Sequence, residues 1–227
     1  MASSPECITW MVVGLTESVT IIALNSLTVI AFCRDRNLRK RSTYLVISLA
    51  VADILSGGTA PFDLFDNIGA MCNFWRHNTK YWYRIPAVLL IWFLGCSLTN
   101  MTVVSLEHLN ATFWPFRHCA IKKSVYWVLI IAIWLTALLF SCALLMMTYY
   151  IREWDYYFYT WSSFMSICLL VICVSYVFIV VKFRFGNQPL HHGAANRERK
   201  LTLTVFTVTS LSLLLWLPYI ITFFSSH

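Results

Sequence analysis

Six apolar runs, spanning 8–33, 43–65, 85–109, 125–150, 158–181 and 201–224, take up most of the 227 residues. A helix rises about 1.5 Å per residue, so each run can cross a hydrocarbon layer about 30 Å thick. Lipid offers no water to satisfy backbone groups, and strands of this length would leave their ladders unpaired, so the runs must be helices. The expected fold is all-α: a polytopic transmembrane helical bundle of six spans. No connecting stretch is long enough to fold alone, which predicts one domain over 1–227.

The loops alternate in charge. The first carries Arg34, Arg36, Arg39, Lys40 and Arg41; the third Arg117, Lys122 and Lys123; the fifth Lys182, Arg184, Arg197, Arg199 and Lys200. Together these hold 13 of the 17 lysines and arginines. Basic loops stay in the cytoplasm, which predicts an extracellular N-terminus and puts His227 outside as well. The net charge of +7 is then a topology signal, with no need of a nucleic-acid partner. Residues 1–6 carry no basic stretch and no cleavage site, so the first span is expected to act as its own insertion signal.

Cysteines contribute less. Cys96, Cys142, Cys168 and Cys173 lie within spans, where a cysteine usually serves as a small hydrophobe. Cys33 and Cys119 sit at span ends, where palmitoylation is one reading. Only Cys7 and Cys72 face the oxidising side, which allows a single disulfide between them.

Polar residues inside the spans are the strongest functional signal, because each costs a few kcal/mol at mid-bilayer unless it meets a partner or a wet cavity. Asp53 lies about 15 Å into the second span. Asn25 in the first span reaches a similar depth and is a candidate hydrogen-bond partner, and Ser97 and Trp216 are candidates to reach the same cavity. The cluster reads as a polar pocket, with a satisfied neutral acid as the bland alternative. Glu17 lies in the outer half of its span, where a carboxylate can reach water. Asp63 and Asp66 fall at the outer mouth, either attracting a cationic ligand or ending a solvated helix. Glu107-His108 closes the third span and on physics alone reads as a solvated helix end. Pro218 follows Trp216-Leu217 inside a span, where proline removes a hydrogen bond and bends the axis. The aromatics from Tyr149 to Trp161 read as an interfacial belt, and His191-His192 as solvated. No His box, zinc-type His-Glu-x-x-His or Gly-x-Ser-x-Gly turn is present, so neither an enzyme nor a cofactor or metal is expected.

Taken in order, these residues resemble the rhodopsin-like (class A) G-protein-coupled receptors. Asn25 is similar to that family's first-helix asparagine, and Ser48-Leu49-Ala50-Val51-Ala52-Asp53 resembles the second-helix motif around its sodium-site aspartate. Glu107 takes the acidic place of the Asp/Glu-Arg-Tyr motif, with Pro115 in the following loop. Trp134 and Tyr176 match the fourth-helix tryptophan and fifth-helix tyrosine, and Trp216-Leu217-Pro218 the sixth-helix toggle. The resemblance implies a plasma-membrane receptor that transduces an extracellular ligand signal to a heterotrimeric G protein. It implies a ligand region near Asp63, Asp66, Phe93 and Trp216, and a sodium-site-like cluster of Asn25, Asp53 and Ser97. Activation and G-protein contact would fall to Glu107, His108, Pro115, Tyr176 and Pro218.

The chain also departs from the pattern. His108 and Leu109 replace the motif's arginine and tyrosine, and the sequence ends after the sixth run, which reads as a receptor fold short of its seventh helix and predicts weak or absent signalling. The family's third-helix cysteine that normally pairs with the second extracellular loop is absent, as is the fifth-span proline, and both absences resemble the melanocortin, adenosine and cannabinoid group. The alternative function is a non-signalling remnant that dimerises with full-length receptors. A six-helix channel or transporter ranks lower, because the spans show no repeated arginines, no re-entrant segment and no internal repeat.

Overall fold

The computed structural model describes residues 4–34, 43–71, 84–150 and 154–185. They form α1 (Ser4–Arg34), α2 (Thr43–Met71), α3 (Arg84–Phe113), the short α4 (Pro115–Ala120), α5 (Lys123–Tyr150) and α6 (Trp154–Phe185). All but α4 contain a stretch long and apolar enough to cross a membrane: Cys7–Arg34, Thr43–Phe65, Ile85–Phe113, Lys123–Met147 and Tyr159–Lys182. The described elements are all helices, the chain is a multi-pass membrane protein, and these stretches match the first five apolar runs. The helices overrun the runs at most ends, because hydrogen bonding continues past the apolar stretch into polar flanks. The sixth run, 201–224, with Trp216 and Pro218, lies outside the described residues, as do Cys72 and His191-His192.

α4 is an element that hydropathy did not predict. Trp114 sits at φ −129° and ψ 66°, outside the helical region that a following proline disfavours. Pro115 then opens the helix, where its missing N–H costs nothing and its fixed φ suits the first turn.

The residues group into two compact units, one drawn from Met1–Met101 and Lys122–Tyr157, the other from Thr102–Ile121 and Phe158–His227. In the first unit α1 packs along α2 through glycines. A Cβ on Gly14 would lie 2.5 Å from a Leu64 methyl, and one on Gly57 would lie 3.0 Å from Ile22 and 3.2 Å from the Ser18 carbonyl. Small residues let helices approach closely where lipid supplies no hydrophobic drive to associate. The unit's centre is Ala52, Cys96 and Ala137, all buried, with Trp92 and Trp134 packed against them. In the second unit α3 buries Val104 and Ser105, and α6 buries Cys168, Ile172, Ser175, Tyr176 and Ile179. Ile167, Leu170, Val174, Val177, Phe178 and Val181 on α6 are exposed, as residues meeting lipid should be.

Most hydroxyls in the spans bond a carbonyl of their own helix, three or four residues back. Ser18 donates to Gly14, Thr28 to Leu24, Thr99 to Gly95 and Ser175 to Val171. Such groups are satisfied locally and demand nothing of their neighbours. Cys7 is buried and disulfide-bonded, while Cys33 and Cys142 are exposed.

Candidate functional site

Asp53, eleven residues into α2, accepts a hydrogen bond on Oδ1 from the Ser97 hydroxyl of α3. Two helices thus meet through a carboxylate and a hydroxyl at mid-span. Ser56 donates to the Asp53 backbone carbonyl at 2.9 Å, tying the next turn of α2 to the same point. Asn25 does not join them: its amide donates to the Ile21 carbonyl of its own helix at 3.0 Å. Of the candidates the sequence offers, Ser97 bonds Asp53, and the expected bond from Asn25 is corrected to one within α1. An amide one turn above a helix carbonyl has a partner already in reach and does not need to cross to α2.

One layer away, Trp134 of α5 donates its indole N–H to the Ser48 hydroxyl of α2 at 3.1 Å. Its backbone carbonyl accepts from the Trp92 indole of α3 at 3.2 Å. The rings of Trp92 and Trp134 meet edge to face at 6.0 Å, and Phe93 stacks on Trp92 at 5.0 Å while meeting Trp134 at 6.3 Å. Phe93, named as a ligand contact, sits buried in this aromatic group. Fully buried Asn100 donates to the Cys96 carbonyl at 2.9 Å, and its Oδ1 accepts no hydrogen bond among the described residues. Serine, tryptophan and aspartate thus link α2 to both α3 and α5.

The second unit holds the end of α3. Glu107 there pairs with Nε2 of His118, on α4, at 2.6 Å. Sequence reasoning passed over His118, because a histidine in a basic loop reads as solvated. The one available signal was the eleven-residue offset from an acid across a proline-started turn. His108, in the motif's arginine position, is half-buried beside Glu107 in sequence. Lys182 of α6, read at first only as a topology charge, donates to the Thr112 carbonyl at 2.6 Å and lies 4.4 Å from the Phe113 ring centre. A lysine on the last carbonyls of a helix neutralises its exposed dipole end.

The remaining expected residues fall as follows. Asp63 is half-buried on α2 and Asp66 lies in the same helix. Pro115 opens α4, and Tyr176 is buried on α6. Glu17 is exposed. Among the described residues no group of three or more His, Cys, Asp or Glu side chains is placed to hold a metal ion.

The family model for seven-transmembrane receptors of the rhodopsin family matches residues 24–227. The chain belongs to that family. Rhodopsin-family relatives include mouse (Mus musculus) lysophosphatidic acid receptor 2, 23% identical over 94% of this chain and 65% of the relative. Human (Homo sapiens) lysophosphatidic acid receptor 3 is 26% identical over 91% of this chain and 62% of its own. The histamine H2 receptor of the dog (Canis lupus familiaris) is 25% identical over 97% and 67%. The chain spans just under two thirds of the length of the lysophosphatidic acid receptors it matches. These named relatives are receptors, and this chain shares with their family a set of membrane-length apolar helices.

Proposed function

We propose that this chain acts as a G-protein-coupled receptor in the plasma membrane, passing an extracellular ligand signal to a heterotrimeric G protein. The observation that carries the reading is the Asp53–Ser97 bond within a rhodopsin-family chain. A carboxylate at that depth is costly, and in membrane helices such groups mark functional interiors. Asp53 and Ser97 offer hard oxygen donors of the kind small cations take, with Asn25 a third donor only if its amide turns from Ile21. An extracellular N-terminus is favoured by the basic odd-numbered loops and by the disulfide at Cys7, since disulfides persist on the oxidising side.

Ligand entry is assigned to the outer part of the spans near Asp63 and Asp66, with Phe93 and Trp216 as further contacts. The acidic pair favours a small cationic ligand. Glu107, His108, Pro115 and Tyr176 would face or transmit to the G protein, and Pro218 would serve as the hinge. The melanocortin-, adenosine- or cannabinoid-like placement rests on the cysteine and proline pattern alone.

The test is nucleotide exchange on a G protein in membranes carrying the full chain, with histamine, adenosine and lysophosphatidic acid as probes. Exchange driven by histamine and weakened by Asp63→Asn supports both the function and the cationic ligand. Exchange driven only by lysophosphatidic acid keeps the receptor and overturns the ligand class. No exchange, together with stable co-purification of a full-length relative, would replace the proposal with the dimerising, non-signalling reading.

A further inference from the structure

The acid that ends α3 is held by a histidine of the next element. Glu107 and His118 are mostly sheltered, with side chains 10% and 23% exposed, so their attraction is less screened than that of a surface pair. At 2.6 Å the contact lies at the short end of charge-assisted hydrogen bonds. The backbone of His118 is fixed on both sides: its N–H donates to the Trp114 carbonyl at 2.9 Å, and its carbonyl accepts from Ile121 at 3.2 Å. These bonds place the His118 backbone within reach of Glu107, so that the ring meets the carboxylate from α4. Histidine is the one side chain that ordinarily changes charge between pH 5 and 8.

We propose that His118 and Glu107 form a proton-dependent latch that fixes α4 to the end of α3 when the imidazole is charged and loosens it when the imidazole is neutral. A charged imidazole binds a carboxylate by both attraction and hydrogen bond. A neutral one keeps at most the hydrogen bond, in the tautomer that places the proton on Nε2. The latch is therefore tighter at low pH. Other charged or titratable groups at this end are His108 on α3 and Lys182 and Arg184 on α6, while Arg117 precedes His118 and Lys122 and Lys123 follow it in the chain. Lysines and arginines ordinarily keep their charge over this range, so of these neighbours only His108 could imitate the response. The latch needs no ligand and operates whether or not the chain signals.

Hydrogen–deuterium exchange of the full chain in lipid nanodiscs tests it, comparing residues 115–120 at pH 6 and pH 8 after correction for intrinsic exchange. Protection of α4 should be on the order of fivefold greater at pH 6, the effect of about 1 kcal/mol. His118→Gln and Glu107→Gln should each abolish the difference, whereas His108→Asn should preserve it. Either of the first two variants suffices if the other fails to fold. Equal protection at both pH values overturns the proposal. So does a pH difference that survives in a folded His118→Gln or Glu107→Gln chain, or one that His108→Asn removes.

Discussion

Replacing Trp134 by phenylalanine isolates one hydrogen bond from a crowded site. The substitution removes the indole donor to Ser48, set at 3.1 Å, and keeps a ring beside Trp92 and Phe93. The backbone carbonyl that accepts from Trp92 is untouched by any side-chain change. Hydrogen bonds between membrane helices average about 0.6 kcal/mol and reach about 1.7 kcal/mol. For a chain of this size each kcal/mol moves the unfolding midpoint by about 2–4 °C, so Trp134→Phe should lower it by about 1–7 °C. Trp134→Ala also forfeits two aromatic contacts and leaves a void, costing about 3–5 kcal/mol, or at least about 6 °C. The assay is thermal unfolding of the full chain in detergent micelles, followed by circular dichroism, with Ser48→Ala completing a double-mutant cycle. The cycle should return a coupling of about 0.6–1.7 kcal/mol. A coupling of zero, or a phenylalanine variant as unstable as the alanine one, would refute the assignment of stability to this bond.

Other perturbations sort the remaining contacts. Gly57→Ala should cost about 1–3 kcal/mol by forcing α1 from α2, while Gly58→Ala, whose Cβ would meet nothing within 4 Å, should leave the midpoint unchanged or slightly raised. Ser97→Ala should cost about 1–3 kcal/mol by stripping a membrane carboxylate of its donor, and Ser97→Thr should recover most of that loss in the same melting assay. Lys182→Met should speed exchange of the last α3 amides by freeing the Thr112 carbonyl, while Lys182→Arg should hold them near native rates.

The sequence announces its spans plainly because apolar length is a property each run carries by itself. Asp53 and Ser97 were legible too, since depth along a helix can be counted and a carboxylate at that depth requires a partner. Asn25 misled because a side-chain amide satisfied within its own helix looks, in one dimension, like one that reaches across. α4 was invisible to hydropathy: six residues make no apolar run, and only Trp114-Pro115 marks its start. His118 carried no signal of its own and Lys182 only a topology charge, because nothing in the chain's linear order reveals which carboxylate or carbonyl a residue near a helix end will find once folded. The α1–α2 seam escaped notice for a similar reason, since Gly14 and Gly57 show their purpose only when Leu64 and Ile22 stand against them.

The locally bonded hydroxyls also bear on how the protein is made. Spans leave the ribosome in order, N-terminal first, and a serine or threonine that already bonds its own helix enters lipid without waiting for a neighbour. Asp53 has no such provision on its side chain. Its partner Ser97 belongs to the next span, 44 residues later, so for the time needed to synthesise that stretch the second span holds its acid without the Ser97 hydroxyl. Arrival of the third span supplies that hydroxyl, so the acid of the second span is fully served only once two spans have met.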